Sequence, residues 1–63
     1  MSGDAAELSS ASSMLEDIVT RLLDVAHRYE GTDREDIAHQ LHEVERSLRR
    51  ASRQLETTRR SLT

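Results

Sequence analysis

Residues 27–35 read HRYEGTDRE. A long segment of regular apolar spacing lies on either side, and the two segments are out of phase across this stretch. Gly31 lacks a Cβ and can take the left-handed conformation that closes a helix. Thr32 and Glu35 have the spacing of a capping box, in which each side chain satisfies a backbone N–H at the start of the next helix. Asp33, Glu35 and Asp36 place negative charge at the positive end of that helix dipole, and Arg59 and Arg60 place positive charge at its other end. A break this short favours two antiparallel helices.

Leu8, Ala11, Leu15, Ile18, Leu22, Val25 and Tyr29 alternate spacings of three and four. Ile37, Leu41, Val44, Leu48, Ala51, Leu55, Thr58 and Leu62 do the same. Both are heptad a/d seams of the coiled-coil kind. The residue numbers of facing pairs, from Tyr29 with Ile37 through Val25 with Leu41 to Leu8 with Thr58, all add to one total, as an antiparallel register requires. The expected fold is all-α: a flexible N-terminus at 1–3, helix one over about 4–30, a turn at 31–32 and helix two over about 33–62. Helix one has two candidate starts, Asp4 with Glu7 and Ser13 with Glu16. The early start is favoured because it gives helix two a partner along most of its length.

The 63 residues make one domain at most, and a core this small stabilises little by itself. Without Cys, disulfides and thiolate metal sites are excluded, which leaves oligomerisation as the staple. Helix one is apolar beyond its seam, with Met14 at g, Val19 and Ala26 at e and Leu23 at b. The flank where e positions meet holds Ala5, Ser12, Val19 and Ala26 against Ala38, Glu45, Ser52 and Arg59. The opposite flank, with Arg21, Arg28, Gln40, Ser47 and Gln54, is polar. Two hairpins are therefore expected to dock through the e side into a four-helix bundle. The expected interface is Leu15, Ile18, Val19, Leu22, Ala26, Ala38, Leu41 and Leu48, and the partner is a second copy or a related helical protein.

Arg46, Arg49, Arg50 and Arg53 make a basic stripe on helix two, with Arg60 beyond it, while Glu16, Asp17, Asp24 and Glu30 make the outside of helix one acidic. The stripe could track phosphates, but it has no aromatic residues interleaved for stacking, and the net charge is −3. A solvated face or a charge match between subunits is the favoured reading over nucleic-acid binding. His27, His39 and His42 fall at f, f and b, so they are read as solvated rather than as metal ligands. The serines and histidines do not converge on a pocket, so no enzyme, cofactor or metal is expected. No apolar run approaches the roughly 20 residues that cross a bilayer. The start, MSGDAAELSS, lacks the basic and apolar regions of a secretory signal peptide, so the expected location is cytoplasmic.

Two resemblances add to this. Tyr29-x-x-x-Asp33 resembles the YxxxD/E export motif of type VII secretion substrates, and VAHRYEGTDRE is similar to the phrase closing helices in WXG100-like and Esp-like proteins. Tyr29-Glu30-Gly31 lies at the hairpin turn, where that family carries W-x-G. The resemblance implies a small helical hairpin that pairs into a four-helix bundle and leaves the cell without a signal peptide, with Tyr29 and Asp33 as the export signal. The family keeps its motif after the second helix, whereas here it follows the first. Residues 33–43, DREDIAHQLHE, resemble the phosphoacceptor helix of sensor histidine kinases. That would make His42 the phosphorylated residue, though no ATP-binding domain accompanies it. The expected function is self-association and protein–protein binding, with a type VII-like exported protein as the alternative.

Overall fold

The computed structural model describes residues 2–62, with side chains from Gly3 onward. Helix α1 is Ser2–Tyr29 and helix α2 is Glu35–Ser61, and residues 30–34 join them. The described residues contain no strand. The two helices lie side by side as a hairpin, and the Cα atoms span 50 × 15 × 9 Å. The molecule is thus a slab one helix thick, with two broad faces.

The connection is longer than the expected two residues, and its hydrogen bonds explain why. Gly31 has φ 74°, the left-handed conformation expected of it. The Glu30 N–H donates to the Ala26 carbonyl at 3.2 Å, and the Thr32 N–H donates to the Tyr29 carbonyl at 3.2 Å. Thr32 and Glu35 both bond the backbone, but not as a capping box. The Thr32 hydroxyl donates to the Tyr29 carbonyl at 2.6 Å and accepts from the Arg34 N–H at 3.2 Å. The Glu35 carboxylate accepts from the Gly31 N–H at 3.1 Å. Arg34 is the N-cap and Glu35 the first helical residue, so Thr32 stands too early to cap α2 and pins the loop instead. The Arg34 guanidinium makes two bonds to Asp36, at 3.1 and 3.2 Å.

At the other end, α1 already includes Ser2 and Gly3, where a flexible leader was expected. Met1 and Thr63 lie outside the described residues. The serine run at 9–13 is helical throughout.

The largest departure concerns which seam lies between the helices. Write Leu8, Leu15, Leu22 and Tyr29 as a in α1, and Leu41, Leu48, Leu55 and Leu62 as a in α2. At about 100° per residue, d lies about 60° to one side of a and e about 40° to the other. Burial peaks at e: Val19 is 7 %, Ala26 0 % and Ala38 2 % exposed. The a leucines Leu8, Leu15, Leu22, Leu41, Leu48 and Leu55 are half-buried, and the d residues Ile18 and Val44 are 43 % and 44 % exposed. The hairpin therefore closes on its a/e edge, not on a/d.

The reason is side-chain size. The e series is mostly small, with Ala5, Ser12 and Ala26 on α1 and Ala38 and Ser52 on α2. Small residues let two helix backbones approach, whereas Ile18 and Val44 at the contact would hold them apart. This corrects the expected docking surface. Val19, Ala26 and Ala38 are interior residues of one hairpin and cannot also be an outer face.

Candidate interaction surface

With the contact centred on e, the a residues of both antiparallel helices fall on the same side of the slab, and the d residues lie on its outer side, with Ile18, Val44 and Ala51 exposed and Ala11, Val25 and Ile37 half-buried. This front face carries Ala11, Ile18 and Val25 from α1 and Ile37, Val44 and Ala51 from α2, over the half-buried leucines at a. Met14, at g on its rim, is 65 % exposed. Tyr29 and Leu62 extend the face at its ends and are also exposed. Of the residues expected at an interface, Leu15, Ile18, Leu22, Leu41 and Leu48 lie on this front face. Val44, Val25, Ile37 and Ala51 complete it, although the a/d spacing alone puts them inside. The readable signal was the run of small residues at e, which marks the edge where backbones come closest.

The back face is ionic. His42 is half-buried there rather than free in solvent. Its Nε2 lies 3.0 Å from Glu30 Oε2 and its Nδ1 lies 3.2 Å from Glu45 Oε1. Glu30 follows the last residue of α1, so His42 ties the end of one helix to the other. The Arg49 guanidinium donates to the second oxygen of Glu45 at 2.7 Å. Hydrogen bonding to Glu30, and then to Glu45, raises the His42 pKa above its ordinary 6.5, against a smaller opposing effect of desolvation. Glu45 is held below the ordinary carboxylate range, first by Arg49 and then by His42.

The arginines of α2 do not form one uniform stripe. Arg46 pairs with Glu43 at 2.9 Å and Arg49 with Glu45, while Arg59 pairs with Glu56. Arg50 and Arg53 make no ion pair with a described residue. Arg49 and Arg53 line an open cleft of about 350 Å³ with Glu16, Val19, Thr20, Leu23 and Ser52. Acidic side chains thus interrupt the basic surface along its length.

Tyr29 and Asp33 are both exposed at the turn end. His27 and His39 are exposed as well, and no group of three His, Cys, Asp or Glu among the described residues is placed to hold a metal ion. None of the described helices is long and apolar enough to cross a membrane. No known protein family, curated protein or solved structure matches the chain.

Proposed function

We propose that the chain is a self-associating module that works through protein–protein binding, and that its front face docks on a second copy to make a four-helix bundle. The observation that carries this is the uncovered apolar face, with Ile18 and Val44 each more than two-fifths exposed over a half-open ladder of leucines. Area supports it: the accessible surface is 4789 Å², against about 4,100 Å² for a compact monomer of 7.2 kDa. The excess of roughly 700 Å² is close to the roughly 800 Å² that each partner loses in a standard interface. In such a bundle the a leucines of all four helices point at the central axis, e closes each hairpin, and d meets the second copy.

Light-scattering chromatography over a dilution series, with circular dichroism on the same samples, tests the reading. A helical dimer is expected, and Ile18→Glu with Val44→Glu should give the monomer mass. A wild-type monomer at every concentration, or a double variant that keeps the dimer mass, would overturn self-association.

The export reading is favoured by one observation, the exposure of Tyr29 and Asp33 together at the turn tip. It requires that Tyr29→Ala abolish release from the cell. Continued release would end it.

A further inference from the structure

We infer that the second copy docks with its turn at the opposite end, so that α1 packs on α1 of the second copy and α2 on its α2. The inference rests on the self-association proposed above and deepens it. Two face-to-face orientations have two-fold symmetry. With both turns at one end, α1 lies over α2 of the second copy. With turns at opposite ends, each helix lies antiparallel over its own copy. Helix neighbours are antiparallel in both, so the helix dipoles do not discriminate. The charges on the rim of the front face do.

The rim of α1 changes sign along its length. Asp4 and Glu7 stand at its N-terminal end, and Arg21 and Arg28 at its C-terminal end, with Met14 between. All four charged side chains are exposed, and none of them makes an ion pair with a described residue. The rim of α2 is neutral, with Gln40, Ser47 and Gln54. Placed over α2, the α1 rim meets only neutral groups. Placed antiparallel over itself, its acidic end meets the basic end of the second copy, twice by symmetry.

One register satisfies charge and volume together. With Ile18 on the two-fold axis, it meets its own copy, and Ala11 faces Val25 of the second copy. In that alignment the rim brings Glu7 beside Arg28 of the second copy. The level of α2 at this axis falls between Val44 and Ala51, so these two face each other across the interface. Each small residue meets a larger one, which keeps the layers even in volume. In the other orientation levels are preserved, so Ile18 stands between Val44 and Ala51 of the second copy and no opposite charges meet across the rim.

The chain has no Cys, so one introduced thiol reports geometry cleanly. Asp33→Cys, spin-labelled, puts a probe at the exposed turn. At about 1.5 Å per residue from an axis at Ile18, the two labels should stand about 45 Å apart. Turns at one end would bring them within about 20 Å, roughly two helix diameters. A short distance in a dimer overturns the orientation and leaves self-association standing. A monomer at every concentration overturns both. Charge reversal is the second measurement. Glu7→Arg or Arg28→Glu alone should weaken dimerisation about threefold to tenfold, given two exposed pairs per dimer. The double variant should restore it. Single variants with unchanged affinity, or a double variant weaker than either, would overturn the proposed alignment.

Discussion

Gly31 and His42 hold the turn end of the hairpin by different means. At Gly31 the constraint is the backbone alone. A Cβ there would meet nothing within 4 Å, yet φ 74° is a conformation L-residues adopt at a cost. Gly31→Ala should therefore lower stability by about 1–2 kcal/mol in a denaturant titration, with no loss of contacts. At His42 the constraint is charge. Both ring nitrogens face carboxylates, which only the doubly protonated ring can satisfy as a donor. Its pKa is raised on folding, so its contribution is complete below the ordinary 6.5 and is lost as pH rises through the folded value. Glu45 runs the other way: its depressed pKa gives a contribution present above its ordinary 4.5 and lost in more acidic solution. Arg46 and Arg49 line the same cleft as the ring, and desolvation opposes the first effect. The difference in melting temperature between wild type and His42→Gln should be greatest between these two limits and shrink in alkaline solution. A difference independent of pH would exclude the ion-paired imidazolium. The glycine could be read directly from its neighbours in the chain. The histidine could not, because its partner Glu30 lies twelve residues away across the turn.

Along the elements, hydroxyl groups test how a polar helix is kept. Thr20, Thr57, Thr58 and Ser61 donate to the carbonyl four residues earlier, which satisfies them without leaving the helix. Ser12 differs. Its hydroxyl is buried against α2 and has no hydrogen-bond partner among the described residues. A buried unpaired hydroxyl costs stability, and Ser is a weaker helix former than Ala. Ser12→Ala should raise stability by about 1 kcal/mol or more, while Ser13→Ala, on the exposed side, should give only the propensity gain of about 0.5 kcal/mol. Thermal melts of the two variants side by side check this. Equal gains would mean that Ser12 is solvated. The heptad spacing located both helices well, but the serine cluster gave no clear start for α1. Helix propensity is weak evidence against two long faces that pack together.

On the scale of the molecule, Ile18 and Val19 are neighbours in sequence with opposite roles. Val19 is inside the hairpin and Ile18 is on its open face. Val19→Glu should abolish helicity at any concentration, because it buries a charge between the helices. Ile18→Glu should instead lower the mass seen by light scattering. If both variants lose mass and keep helicity alike, the a/e closure of the hairpin is wrong. Wild-type melting temperature should rise with protein concentration, since a dimer is stabilised by mass action.

The amino-acid sequence by itself determined the two helices, the break at Gly31, the antiparallel pairing forced by a short connection, and the heptad repeat. These follow from local rules: backbone freedom, turn geometry and the period of apolar residues. Its spacing pointed to the a/d edge, whereas the hairpin closes on a/e. Each a residue has d on one side and e on the other, within about 60° and 40° on the helix wheel, so a spacing of three and four is consistent with either. Only the packed structure decided between them. The small residues at e let the two backbones come together, and the larger d residues were turned outward into the face where a second copy is proposed to dock.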